Sequence, residues 1–531
     1  MWYATEAVTP EERAILAPHF TNLEGPVFAL TNLPEAVKGA MFARYSRTTK
    51  SLRRLFLDEF ADDVASVDAA GLAKATAKAA GIYERVFVEY GDDSVAQLGG
   101  VHLACEQSSQ LLAKALEWGR LAAYLEQSTR YMRYDDRPGG RWRATVPPEI
   151  AGTDLEAGYA SFLDDVFATY GHLYERLEPW FRERFPQQPE DTDFVYRQTI
   201  MAKTCDTLRM LLPAGTRSNL GIYATGQSYE QLLMRLAQHP LAEMREYGAL
   251  MLVELRAVIP EFLKRVDQPD RGVAWSDYWR AVRERTQELA AKLVGDIEPA
   301  DRPMVNLVDY DPEGELKVTA AVLYAASDLP DHQLLEVVRR MTEAERAEIL
   351  AASVGDRGNR RHKPGRAWER TQYRFDVLCD YGAYRDLQRH RPLTIEWQRL
   401  TPAFGYDVPE AIEEAGLADD WRHVMDRSRE THDAIAAAGL LDAAQYAVSM
   451  AYRIRFVMQM TAREAMHLTE LRSQPAGHPV YREVAQAMHR EIERVHPALA
   501  AAFTHVSYED VDLERLEAER RTERKRKAAG G

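Results

Sequence analysis

REYGALMLVELRAVIP (245–260) and REVAQAMHREIERVHP (482–497) are two amphipathic helical stretches that open on the same Arg-Glu pair and stop at the same proline. Arg235 and Arg472, Arg245 and Arg482, and Pro260 and Pro497 each stand 237 residues apart, the signature of one ancestral unit present twice. Earlier in each unit AMFARYS (40–46) corresponds to AVLYAAS (321–327) at a larger offset, which implies a length difference in the middle. Between the copies GDIEPADRPM (295–304) interrupts the helical period with a glycine and two prolines, which fix φ and remove amide donors. The expected division is therefore 1–297, 298–512 and a tail, 513–531. Charged at almost every position, that tail is expected to stay flexible because it cannot bury enough surface to order itself.

A chain of 531 residues exceeds what one hydrophobic core sustains, in keeping with two domains. Long helix-period segments dominate and strands are few. QYRFDVLCD (372–380) is one strand candidate, with Tyr373, Phe375 and Val377 alternating with Arg374 and Asp376. A net charge of -15 without a concentrated basic patch argues against nucleic acid as a partner. The three cysteines are far apart and form no CxxC pair, which supports neither a disulfide framework nor a zinc knuckle and fits a reducing cytoplasm. No signal peptide and no 18-residue apolar run is present, so export and membrane spanning are not expected.

Chemistry concentrates in short segments. After the strand candidate, YGAYRDLQRHR (381–391) places Arg385 and Arg389 four apart, on one helical face, followed by His390 and Arg391. Such clusters are commonly solvated faces paired with carboxylates. They also supply the guanidinium forks that bind phosphate or pyrophosphate bidentately, which a dinucleotide would need here because no GxGxxG or P-loop exists. EQSTRY (126–131) reads as a helix start with polar capping residues, and Arg472 as a helix-terminal arginine complementing the dipole.

Taken together these segments resemble the flavin-dependent thymidylate synthases. Arg389-His390-Arg391 with Thr394 looks like the start of that family's signature, whose residues hold FAD. TAREAMHLTELR (461–472) is similar to its Asn-x-Arg segment, with Arg463, His467 and Arg472 in place and Thr461 where the family has Asn. The second half then departs from the signature, reading IEWQRLTP. The lost portion stands in the first half as EQSTRY, with Glu126, Gln127, Ser128, Thr129, Arg130 and Tyr131, while Trp118, Gly119 and Arg120 occupy the first half's Arg-His-Arg position. LRMLLP (208–213) resembles the family's Arg-x-x-Leu-Pro segment and places Arg209 against the nucleotide; the equivalent stretch near Gln445 lacks that arginine. Asp386 stands where the family has Gln, and His362 matches an upstream histidine less closely, with a surface histidine the other reading.

The resemblance implies an α+β fold, two tandem copies of a thymidylate-synthase-complementing-like domain with antiparallel strands packed on long helices and a pseudo-twofold between them. It implies reductive methylation of dUMP to dTMP, with methylenetetrahydrofolate and NADPH as further small-molecule partners and FAD as cofactor. Arg472 would be catalytic, stabilising charge that develops at uracil N3 and O4. Glu126, Gln127, Ser128, Thr129, Arg130 and Arg209 would bind substrate, and Arg389, His390, Arg391, Arg463 and His467 would bind FAD. Since each half keeps what the other has lost, a single composite site is expected, in a homodimer of duplicated chains. A related flavin enzyme acting on another pyrimidine nucleotide, and an inactive nucleotide- or flavin-binding homologue, are the competing readings.

Overall fold

The computed structural model describes residues 8–25, 28–45, 50–61 and 97–529. Two compact units result, and they do not follow the two halves of the sequence. The first comprises residues 1–106, 121–126 and 219–297; the second comprises 107–120, 127–218 and 298–531. The expected break after residue 297 is thus one of several places where the chain passes between units. Long-range contacts decide the partition, and helical period and prolines carry no record of them.

β1 (Gly100–Ser109), β2 (Ala122–Glu126) and β3 (Arg217–Thr225) form a sheet in the order β1-β3-β2, all of it in the first unit except the last residues of β1 and the first two of β3. β2 runs antiparallel to β3, with Ala122 opposite Ala224 and Glu126 opposite Leu220. Helices Gly226–Ala237 and Ala242–Arg256 follow, the second being the repeated stretch, and Pro260 then opens a 3-10 turn that ends it. AMFARYS falls at the end of helix Glu35–Tyr45, apart from Ser46, which lies outside the described residues; AVLYAAS begins inside helix Gly314–Tyr324 of the second unit.

The second unit holds β4 (Val305–Tyr310), β5 (Gln372–Asp380), β6 (Leu393–Trp397) and β7 (Arg453–Thr461), ordered β4-β5-β7-β6 with every neighbouring pair antiparallel. β5 coincides with the strand read from sequence. Its Tyr373, Phe375, Val377 and Cys379 are buried, as are Ile454, Phe456, Met458 and Met460 of β7, the period-two pattern of a sheet with one face in the core. Helix Asp154–Arg184 lies against helices Asp193–Leu208 and Ala418–Ala437.

Corresponding segments of the two halves meet inside this unit. Ala214 N donates to Val448 O (2.8 Å), Gly215 N to Tyr446 O (3.0 Å), Met450 N to Leu212 O (2.9 Å) and Ala451 N to Met210 O (2.8 Å). The crossing is tight enough to require glycine at 215, where a Cβ would come within 2.5 Å of the Tyr159 hydroxyl and 3.1 Å of Tyr446 O. The duplication also appears in the caps. β3 leads into its helix through Thr225, whose hydroxyl accepts from Ser228 N, and β7 does so through Thr461, which accepts from Glu464 N.

Within the charged tail Leu516–Ala529 is a helix that lies against Asp193–Leu208. Arg520 bonds Asp191 through Nε (2.6 Å) and Nη2 (2.9 Å), Glu523 accepts from the Thr192 hydroxyl (2.7 Å), and buried Glu514 accepts from Lys203 Nζ (2.7 Å). Specific ionic partners on another element order a segment whose composition alone carries too little apolar surface.

Candidate active site

The second unit gathers most of the expected site residues into one buried charge cluster. Helix Asp193–Leu208 ends in a 3-10 turn that begins with Arg209, and Asp206 three residues earlier faces it. Arg209 Nε lies 2.8 Å from Asp206 Oδ1, and Arg130 Nη2 donates to Asp206 Oδ2 at 2.6 Å. Arg209 Nη1 reaches the Thr129 hydroxyl at 3.4 Å. Burial pushes the Asp206 carboxyl up, but Arg130, Arg209 and the nearby His478 outweigh it and hold the group well below the usual carboxylate range.

No helix follows EQSTRY; Gln127–Tyr131 is a loop in which the Ser128 hydroxyl accepts from Arg130 N at 3.3 Å. Gln127 points its side-chain amide nitrogen at Met132 Sδ (2.8 Å), and its main-chain carbonyl accepts from the Ser218 hydroxyl (3.3 Å). Glu126 ends β2 and belongs to the first unit.

On the other side of the cluster, Asp380 caps helix Tyr381–Leu387 by accepting from Ala383 N at 2.6 Å. That helix stops before Arg389, so Arg385 and Arg389 do not share a face as their spacing suggested. Arg385 is buried beside Met450 Sδ, whereas the Arg389 side chain is 38% exposed and donates to Asp386 Oδ1 at 3.1 Å. Asp386 also faces Arg209 (3.7 Å) and Arg472 (4.0 Å). Burial raises its pKa, but Arg389, Arg209, Arg472 and Arg130 together bring it down to about 2.

Helix Ala462–Arg472 delivers the remaining groups, capped by the threonine that stands in the family's Asn position. Arg472 Nε donates to His390 Nε2 at 3.0 Å, and His390 Nδ1 lies 2.8 Å from Glu464 Oε1. His390 is thus buried with both ring nitrogens engaged inside the protein. Burial, with Arg472, His467, Lys363 and Arg391 around it, drives its pKa well below the ordinary value. Burial likewise pushes Glu464 up to about 7 against Lys363, Arg463 and Arg472. His467 falls to about 4 through burial and the positive charge of Lys363, Arg360, Arg472 and Arg463.

Arg463 donates to Pro364 O (2.9 Å) and faces Glu369 (3.4 Å) with its side chain 37% exposed, and Arg391 is half-buried. His362 closes a local turn, accepting from Gly358 N at 3.2 Å. The first half's counterpart of the Arg-His-Arg run lies on β6, where Trp118 Nε1 donates to Ile395 O (3.3 Å) and Arg120 Nη2 to the Thr394 hydroxyl (3.1 Å).

Sequence reasoning missed Asp206, Glu464 and His478. The spacing i, i+3 from Asp206 to Arg209 and the cap spacing from Thr461 to Glu464 were available signals, whereas nothing in sequence placed His478, now buried beside Asp206. His390, Glu464 and His467 bring ligand-type atoms within 4.8 Å of one another. Lys363, Arg463 and Arg472 make that spot electropositive, which opposes a dication there. The same field suits an anion: after burial, the positive charge of Lys363, Arg391, Arg463 and Arg472 is what holds His390 and His467 below their ordinary values.

Among the described residues no helix is long and apolar enough to cross a membrane. The chain is 38% identical to the UPF0159 protein of Chlamydia muridarum over 517 residues, covering 96% of this chain and 98% of that protein. It is 29% identical to a UPF0159 protein of Thermoplasma acidophilum over 521 residues, covering 93% of this chain and 99% of that protein. A crystal structure of a UMP/dUMP methylase, PolB from Streptomyces cacaoi, bound with 5-Br dUMP, aligns over 38% of this chain and 94% of its own at 18% identity and a TM-score of 0.31, a likeness too slight to carry an argument. The family model described as thymidylate synthase complementing protein matches residues 39–261 and again 306–498, so the duplicated chain belongs to that family.

Proposed function

We propose that the chain is a flavin-dependent nucleotide methylase that converts dUMP to dTMP, taking the carbon from methylenetetrahydrofolate and reducing equivalents from NADPH. The observation that carries this reading is the gathering of arginines in the buried cluster. Arg130 and Arg209 both meet Asp206, and Asp386 lies against Arg209, Arg389 and Arg472, so the guanidinium forks that a phosphate monoester dianion takes as partners are gathered in one place. Arg130 Nε is buried without a hydrogen-bond partner, a donor such a ligand would satisfy.

Arg130, Arg209, Ser128 and Thr129 would fix the nucleotide's phosphate, and Arg472 would stabilise negative charge at uracil N3 and O4 as C5 becomes nucleophilic. Arg389, Arg391, Arg463 and His467 would hold FAD, which when bound carries hydride from NADPH to the carbon being reduced. Glu126 is assigned to the substrate on the family resemblance alone.

Calorimetric titration with dUMP and with deoxyuridine tests the assignment. dUMP should bind far more tightly than the nucleoside, and Arg209→Met should abolish that difference; equal binding of the two would sink the phosphate assignment. A second reading is that the chain binds nucleotide and flavin without turnover, or serves another pyrimidine nucleotide. It draws support from Asp206 and Asp386, which already hold the arginines that would bind phosphate. Formation of dTMP from dUMP with folate and NADPH supplied separates the two.

A further inference from the structure

We propose that Glu464 and His390 are positioning residues, a two-member relay that sets which edge of the Arg472 guanidinium is free to meet the substrate. The inference rests on the dUMP-methylase reading for its catalytic consequence, but its structural basis stands alone. Arg472 Nε–H points at His390 Nε2, 3.0 Å away. An arginine nitrogen only donates, so the Nε2 lone pair must be unprotonated and the ring's proton must reside on Nδ1. Glu464 Oε1 lies 2.8 Å from Nδ1, where an ionised carboxylate, which only accepts, pins the proton.

The consequence falls on Arg472. With Nε committed to His390 and Cζ 5.5 Å from the centre of the Tyr481 ring, the guanidinium is held in place with its Nη edge toward Asp386, Nη1 lying 4.0 Å from Oδ1. That edge is the bidentate one that a uracil carbonyl and ring nitrogen would require. Were the proton to move to Nε2, two donors would face each other at 3.0 Å and Arg472 would have to turn away.

Burial supports the assignment: His390 is 5% and Glu464 6% exposed, so no bulk water replaces either bond. The groups facing the pair are His467, Lys363, Arg391, Arg463 and Arg472. All are cationic or held neutral, which keeps His390 from taking a second proton. Protonation of Glu464, near pH 7, turns it into a donor that can reverse the tautomer.

The test compares the full-length protein with Glu464→Gln and Glu464→Met. Ring 15N shifts of His390, assigned with His390→Gln, should show the Nδ1–H tautomer in the wild type above pH 7 and a shift toward Nε2–H in Glu464→Met. In turnover, Glu464→Met should lower kcat by about 10- to 100-fold, as loss of an orienting partner does elsewhere, with little change in dUMP affinity. Glu464→Gln, which keeps volume and an acceptor, should retain most of kcat while losing the acidic limb of the pH profile near 7. An Nε2–H tautomer in the wild type, or a Glu464→Met variant with wild-type tautomer and kcat, overturns the relay. Should dUMP fail to bind or react, the methylase reading falls while the tautomer measurement still decides the positioning claim.

Discussion

Replacing Asp206 by Asn should weaken the free protein yet strengthen its hold on dUMP. Asp206 is buried and joins Arg130 at 2.6 Å and Arg209 at 2.8 Å. Asparagine keeps one acceptor for Arg130 but removes the charge, leaving the surrounding guanidinium groups with one negative neighbour fewer. Breaking a buried ion pair by removing one partner costs about 3–5 kcal/mol; the retained hydrogen bond places the expected loss near the lower bound. A phosphate dianion would then meet a stronger field. Two unit charges about 4 Å apart interact by about 4 kcal/mol at an effective dielectric of 20. Allowing only about 1.4 kcal/mol of that to survive rearrangement gives a tenfold tighter complex. Urea unfolding with and without saturating dUMP reads both effects, since ligand that binds only the native state adds RT ln(1 + [L]/Kd). Wild type should start more stable and gain less, and Asp206→Asn should start lower and gain more. An equal gain in both proteins would refute the placement of phosphate at this cluster.

Arg389→Ala combined with Arg463→Ala should strip flavin absorbance from the purified protein; unchanged flavin content would reject the assignment of these arginines to FAD. Stability should decline as pH falls. Asp386, held at about 2 in the fold, contributes stability that is fully present above its unfolded value of about 3.9 and is lost as pH drops toward 2. His478, depressed to about 4 mainly by burial, opposes protonation that the unfolded chain accepts near 6.5, so it erodes stability between those values, and His478→Phe should flatten that part of a urea-midpoint profile. Lys203→Met should leave Glu514 buried without its cation and cost about 3 kcal/mol, measurable by urea unfolding. Gly215→Ala should destabilise by about 1–3 kcal/mol, because the added Cβ meets the Tyr159 hydroxyl and a main-chain oxygen.

Period and punctuation made the regular elements legible. β5 announced itself by alternation, and the two copies of the 245–260 helix by their shared stops. Motif residues could be picked out from the sequence, and Arg130, Arg209, Arg389, His390 and Arg472 converge in one unit. What escaped was pairing across distance. The partition into units depends on residues 107–120 and 127–218 joining the second half's sheet unit, and no local pattern records that. The tail read as disordered because its stability comes from Asp191, Thr192 and Lys203, more than three hundred residues away. Arg385 and Arg389 were misjudged because a seven-residue helix ended between them.

The four main-chain bonds that join residues 210–215 to 446–451 have a consequence for how the protein responds to dilution. Were those segments on separate subunits, the crossing would form by a bimolecular step, and its occupancy would fall with protein concentration. Here both lie on one backbone, and the tether holds them at an effective concentration set by the intervening chain rather than by the test tube. Activity per mole should therefore be constant from micromolar down to nanomolar enzyme as far as this crossing is concerned, and any loss on dilution would report a different contact, one made between chains.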